Sequence, residues 1–200
     1  MNTSIDYFLQ FKNHFSSDDD ISTSKGVMVF CVIEDSLLLV KRSESMPSHK
    51  GQVALVGGHR KVDEDFPFAT AQREFLEETN LDESRFEIVC PLPKVFTARE
   101  VSIIPVLSIY RGTIAEVKAQ IKSNGEWDFA FLVKIADLMK DEYWMEALRI
   151  NNSHTQNFLF RPLFEREIKQ LSGTPTFPLM LWGASARVVE HVRKLILTKS

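Results

Sequence analysis

Cys31 and Cys90 are the only two cysteines of the chain, and no CxxC spacing joins them. That leaves no disulfide framework; the pair reads as buried free thiols in a reducing compartment. No apolar run approaches the length of a membrane span, about 18 residues. Asp6 comes early, and no signal-peptide hydrophobic core follows the N-terminus. These absences point to a cytoplasmic protein without a membrane partner. Excess charge is also scarce, with a formal net charge of −3. That balance offers no basic surface for nucleic acid. A polyanionic substrate would have to be met by local basic groups and metal. There is no internal repeat and no low-complexity linker.

What is present is ordinary for a globular domain: 44% hydrophobic and 26% charged residues in a chain of 200. That length suits one domain, residues 1–200, with one core. Ile5, Phe8, Leu9 and Phe15 have helical spacing and predict a short amphipathic helix over 3–15. The Asp18-Asp19-Asp20 run that follows reads as a solvated loop. Val27–Ile33 is β-branched and apolar, and pairs through a Glu34-Asp35 turn with Leu37–Lys41. Further strands are expected over Gln52–Val56, Phe86–Cys90, Val101–Tyr110, Phe129–Ile135, Tyr143–Ile150 and Phe158–Leu163. Pro105 marks the strand that carries it as an edge or a bulge. Residues 111–123 fit helix or strand. Ala136–Lys140 reads as a short helix, and Gly183 onward as a terminal one. Strands in the middle with helices at the ends and after the glycines give an α+β class, a mixed sheet with helices packed on it.

The chain is organised around Gly57-Gly58 and the helix that starts near Pro67. Proline is tolerated in a first turn, where its missing N–H has no partner to lose. Phe68, Ala71, Phe75 and Leu76 share one side of the helical wheel. Glu74, Glu77 and Glu78 share the other at i, i+3, i+4 spacing, so their side chains are neighbours. Like charges so placed cost roughly 0.2–0.5 kcal/mol per pair, which alone demands no function. A hard cation such as Mg²⁺ would be bound by such carboxylates together with waters and substrate phosphates.

Gly58, Glu64 and the run Arg73-Glu74-x-x-Glu77-Glu78-x-Asn80-Leu81 together resemble the Nudix box. The box runs Gly, an acid six residues on, then Arg-Glu-apolar-x-Glu-Glu-x-Gly-apolar. Here the gap from Gly58 to Arg73 is one residue longer, and Asn80 replaces the last glycine. Asparagine is the next-best residue for a left-handed helix terminus. The longer gap resembles the coenzyme A pyrophosphatase subgroup. So does the spacing of Leu38–Ser43 and of His49–Ala54 before the glycines, and so does Leu181–Arg187 near the C-terminus. Four side chains depart from that signature: Val40 stands for Thr, Pro47 for Arg, Leu55 for Phe and Val56 for Pro. The similarity spans residues 27–198.

The resemblance implies an α/β/α Nudix sandwich and hydrolysis of a diphosphate bond with Mg²⁺ or Mn²⁺. It implies Glu74, Glu77 and Glu78 as metal ligands, joined by the Gly58 carbonyl. Arg73, paired with Glu77 or Glu64, would orient the acids. Glu126 is the candidate general base and Glu100 its alternative, the metal-bound glutamates being the third source. Arg42, His49, Lys50 and Arg60 are candidate substrate-binding groups, with Lys61 beside them. A metal role for His49 or His59 is disfavoured, because Mg²⁺ prefers oxygen. Phe96 and Trp182 read as core packing rather than base stacking. The expected partner is a small nucleoside diphosphate derivative, with coenzyme A first. ADP-ribose, nucleoside diphosphate sugars and dinucleoside polyphosphates are the alternatives, and a catalytically silent binding module is the non-enzymatic one. Monomer and homodimer both remain open.

Overall fold

The hairpin Gly26–Ile33 (β1) and Ser36–Arg42 (β2) carries the densest apolar pattern and forms the centre of the sheet. The computed structural model describes residues 5–13, 21–97, 100–151 and 154–198, with the backbone alone at 13, 149–151 and 154–156. Phe15 and Asp18-Asp19-Asp20 lie outside the described residues. Ile5–Leu9 (α1) continues as a 3₁₀ turn over Gln10–Asn13, so among the described residues the α-helical geometry expected there gives way after Leu9. After β2 come Val53–Ala54 (β3), Phe68–Thr79 (α2), Phe86–Pro91 (β4), Val95–Phe96 (β5) and Ser102–Tyr110 (β6). Then follow Ile114–Gln120 (α3), Trp127–Lys134 (β7), Ile135–Leu138 (α4), Met145–Asn151 (β8) and His154–Leu163 (β9). Ile168–Gly173 (β10), Leu179–Trp182 (β11) and Gly183–Thr198 (α5) complete the chain.

The sheet is mixed. β1 runs parallel to β6 along its whole length, from Gly26↔Ile103 to Ile33↔Tyr110. It meets β2 only at the hairpin end, Val32↔Leu37 and Ile33↔Ser36. Further along that edge β2 pairs with β3, Val40↔Ala54 and Lys41↔Val53, while its other edge pairs with β7 throughout, from Ser36↔Lys134 to Arg42↔Trp127. The edge of β1 left open is taken by the glycine loop, with Val27 N–H on Gly58 O at 2.9 Å and Val29 N–H on Val56 O at 2.8 Å.

Two cores lie on the two faces. Phe75 and Ala71 of α2 and Val117 of α3 pack with Val29, Cys31, Val40 and Leu132 on one face. Phe8, Ile135, Val188, Val189 and Val192 pack with Phe30, Leu39, Phe131 and Leu181 on the other. Helices on both faces make the α/β/α sandwich. Both cysteines are buried free thiols. Burial pushes the Cys31 thiol up to about 12 and Cys90 up to about 11.

Two local expectations change and one open reading is decided. Pro105 sits in an interior strand, because β6 lies between β1 and β4. It falls between the last β4 pair, Pro91↔Val106, and the first β5 pair, Val95↔Ile103, where the neighbouring strand is interrupted. A missing N–H therefore breaks no ladder bond there. Within residues 111–123 the stretch Ile114–Gln120 is helical, because Thr113 and Glu116 form a reciprocal capping box. β10 and β11, absent from the pattern reading, pair with β7 and with β9 and β3.

Candidate active site

α2 begins at Pro67, whose carbonyl accepts the Ala71 N–H at 2.9 Å. It ends at Asn80 in the left-handed conformation, φ 55°, with its N–H on Leu76 O. Asparagine thus does the work of the expected glycine. Ala71 and Phe75 face the core as expected, but Phe68 is 40% exposed.

The three glutamates occupy different environments. Glu77 is exposed and pairs with Arg73 at 3.1 Å and Lys61 at 3.5 Å. Glu74 is largely covered and lies against Gly58. A β-carbon at Gly58 would collide with the Glu74 carboxylate. Glu78 is only 2% exposed and turns inward, where its Oε1 accepts the Gly57 N–H at 2.9 Å. The shared side of the helical wheel therefore does not give the three a shared exposure. Burial is the first cause that raises the Glu78 carboxyl to about 8, with the charges of Glu126 and Glu74 adding to it and Arg42 opposing.

Arg73 is the hub of the helix face. Its Nε donates to Glu64 Oε1 at 2.5 Å and its Nη1 to Glu74 Oε1 at 2.7 Å. Its Nη2 donates to the His59 carbonyl at 2.9 Å. Glu64 also accepts from Thr70 Oγ1 at 2.6 Å and from the Lys61 N–H at 3.0 Å. These donors hold the Glu64 carboxyl down at about 2, the Arg73 hydrogen bond contributing most. Arg73 therefore pairs with Glu64, Glu74 and Glu77 together, and locks the Gly58–Glu64 loop to the helix.

Glu126 reaches the same place from the α3–β7 connection. Its Oε2 lies 3.9 Å from Arg42 Nη2, and its carbonyl accepts the Ser43 N–H at 2.8 Å. Arg42, at the end of β2, is mostly covered, and its Nε is buried without a hydrogen-bond partner among the described residues. Glu100 is exposed in the β5–β6 turn, with its N–H on Thr97 O.

The remaining candidates are less well placed. His49 and Lys50 are exposed on the β2–β3 loop, and His49 Nδ1 contacts Gln52 Oε1 at 3.1 Å. Arg60 lies over the Phe66 ring at 4.9 Å and donates to the Ser22 carbonyl, so its guanidinium is engaged away from the glutamates. Trp182 is half-buried and stacks with Phe158 at 5.7 Å. Phe96 is 46% exposed, which corrects its reading as core.

Glu74, Glu77, Glu78 and the Gly58 carbonyl offer oxygen donors of the kind a hard cation takes. The close seat of Glu74 on Gly58 fits such a group, because only a residue without a side chain leaves room for a carboxylate there. Among the described residues, no three acidic, imidazole or thiol side chains already form a ready cation cage. Arg73 holds Glu74 and Glu77, while Gly57 holds Glu78.

Fold and site together define an α+β sandwich whose glycine loop and glutamate helix build one acidic, oxygen-donor centre. The chain belongs to the Nudix family, for the family model described as NUDIX domain matches residues 23–151. It is 29% identical over 129 residues to Nudix hydrolase 15, mitochondrial, of Arabidopsis thaliana, covering 62% of this chain and 45% of that protein. It is 28% identical over 93 residues to an uncharacterized Nudix hydrolase NudL of Photorhabdus laumondii, covering 46% and 50%. The chain thus spans about half the length of these curated relatives. A solved Ap4A hydrolase binary complex from C. elegans aligns over 57% of this chain and 83% of its own, at 19% identity and TM-score 0.45. A MutT/nudix family protein from Enterococcus faecalis aligns over 96% and 70%, at 12% identity and TM-score 0.45. No described helix is long and apolar enough to cross a membrane.

Proposed function

We propose that this chain hydrolyses the diphosphate bridge of a nucleoside diphosphate derivative with Mg²⁺ or Mn²⁺, and that its substrate is coenzyme A or a derivative. The products would be 3′,5′-ADP and a phosphopantetheine. The observation that carries the hydrolytic reading is the joining of helix and loop, with Glu74 seated on Gly58 and Glu78 bonded to Gly57. A divalent cation, when bound, neutralises phosphate oxygens and acidifies a water. Glu74, Glu77, Glu78 and the Gly58 carbonyl would hold it.

The chain's own groups do the rest. Arg73 fixes Glu74 and Glu77 in orientation, and Glu64 fixes Arg73. Glu126 accepts the proton of the attacking water as the bridging P–O bond breaks. Arg42 faces Glu126 and offers a guanidinium to a phosphate, a geometry suited to paired hydrogen bonds. His49 and Lys50 add exposed donors on the β2–β3 loop.

The substrate choice rests on two segments that become neighbours. β11 runs parallel beside β3, with Leu181 opposite Val53. The stretch before the glycines and the Leu181–Arg187 stretch are therefore adjacent in the sheet. Leu181 and Val53 face the α5 core, so the next residues, Trp182 and Ala54, turn to the opposite face of the sheet, where Ala54 packs against the α2-side core. Trp182, Phe158, Phe160 and Met180 there line an apolar groove of about 430 Å³ that suits an uncharged arm. The test compares kcat/KM for coenzyme A, dephospho-coenzyme A, ADP-ribose, UDP-glucose and a dinucleoside polyphosphate, with and without metal. A preference beyond about tenfold for ADP-ribose or the sugar nucleotide would end the coenzyme A reading and keep the hydrolytic one. No product from any of them would leave a binding module.

A further inference from the structure

The last carbonyls of a helix have no donor within it and must find one elsewhere. In α2 the Leu76 carbonyl takes the Asn80 N–H. The Glu78 carbonyl takes the indole Nε1–H of Trp127 at 2.8 Å, and the Thr79 carbonyl takes the Lys122 N–H at 3.0 Å. Lys122 lies in the connection between α3 and β7 and Trp127 opens β7, so the two donors bracket Glu126. Ser123 tightens that connection. Its Oγ donates to Trp127 O at 2.6 Å and accepts from Gly125 N at 3.0 Å and Trp127 N at 3.3 Å. Asn124 and Glu126 bond reciprocally, side chain to backbone and side chain to side chain.

Trp127 is buried, and an indole N–H can only donate. Glu78 is therefore held at both ends, its carboxylate by Gly57 and its carbonyl by Trp127. The residue that holds the carbonyl is next in sequence to Glu126. We propose that Trp127 is a positioning residue, whose indole N–H sets the separation of Glu78 and Glu126 by tying the α3–β7 connection to the end of α2. The proposal rests on the hydrolytic reading of these two glutamates. Lys122 supplies the second tie through its backbone, so its side chain is not part of the device.

The test removes the donor and keeps the ring. Trp127→Phe deletes the N–H with some loss of volume. Benzothienylalanine at position 127 replaces the N–H by sulfur at nearly constant shape, and serves if Trp127→Phe fails to fold. Crystal structures of the wild-type and substituted proteins give a readout that needs no activity. The expected result is a displacement of residues 123–126 from α2 with β7 in place. An unchanged Glu78–Glu126 separation would overturn the proposal. In kinetics, kcat is expected to fall roughly 10–100-fold, the scale of a misplacement near 1 Å, with KM nearly unchanged. Combined with Glu126→Gln, the loss from the Trp127 substitution is expected to shrink toward nothing, because the two act as a unit. Multiplicative losses would mean that Trp127 acts on general stability, and would overturn the proposal. A wild-type protein that hydrolyses no diphosphate, together with the displacement in the Trp127 variant, would sink the hydrolytic reading while the tie stands.

Discussion

Arg73 Nε lies 2.5 Å from Glu64 Oε1, nine positions earlier in the chain. That contact crosses from the glycine loop to the glutamate helix and is mostly shielded from water. It turns two separate pieces of the family box into one rigid frame. Arg73 also reaches Glu74, so a change at Glu64 is transmitted to the acidic centre without touching it.

The pair makes a pH-dependent contribution to stability. The Glu64 carboxyl, ordinarily near 4.5, is held at about 2 in the folded chain. A carboxyl lowered on folding stabilises fully above its unfolded value, and the contribution disappears as pH falls through the folded one. Urea midpoints of the wild-type protein and Glu64→Gln should differ clearly at pH 7. The gap should narrow from about pH 5 downward and close near pH 2. A gap that stays constant over that range would contradict the assignment.

Glu78→Gln should reduce turnover at least a hundredfold, about 2.7 kcal/mol of barrier. Glutamine keeps an oxygen for the Gly57 N–H, so the fold should survive, as circular dichroism and melting would show. Full activity in the folded variant would remove Glu78 from the centre. Chelation of divalent metal should abolish activity in the wild-type protein, and Mg²⁺ or Mn²⁺ should restore it.

Glu126→Gln should lower the rate and flatten the acidic limb of the pH–rate profile, because the group that takes the proton no longer titrates. An unchanged rate and profile would transfer the role to Glu100 or to a glutamate of α2.

Gly58→Ala should impair activity more than stability. Its backbone conformation is open to alanine, but the added methyl meets the Glu74 carboxylate. Turnover is expected to fall by about tenfold or more, the cost of displacing one charged group by a fraction of an ångström. Wild-type kinetics in Gly58→Ala would show that the Glu74 seat is not needed.

Glu167→Ala should destabilise by about 3–5 kcal/mol through loss of a buried ion pair, with kcat of the folded fraction unchanged. Arg161 and Glu167 are both almost fully buried, 2.7 Å apart, and Glu167 also accepts the Phe164 N–H. Removing the acid leaves a buried guanidinium without its charge partner. Denaturant unfolding measures the loss, and a variant as stable as the wild type would refute it.

Much of this was legible from residue types alone. Long apolar runs such as Val27–Ile33 and Leu37–Lys41 can only be satisfied as buried strands, and they are. Glycine, arginine and glutamate at fixed intervals marked the candidate site, because the chemistry proposed for it constrains spacing along one loop and one helix. Asn80 read correctly as a left-handed terminus, since few residues adopt that conformation. β10 and β11 escaped notice because Ile168–Gly173 buries only its Leu171 and Leu179–Trp182 is a four-residue run against a helix. Such short segments become strands only when a neighbour supplies their hydrogen bonds.

The sequence by itself determined the family, the central hairpin and the positions of the acids along α2. Only the tertiary structure decided what those acids face. Glu77 and Glu78 are adjacent, yet one is exposed and the other nearly fully buried, because Gly57 and the sheet lie on one side of the helix and solvent on the other. Tertiary packing also placed Arg42 opposite Glu126, turned Arg60 onto Phe66, and brought Trp127 to the end of α2. Helical spacing fixes an angle about one axis. Which direction is protein and which is water depends on contacts between residues far apart in the chain, and no local pattern encodes them.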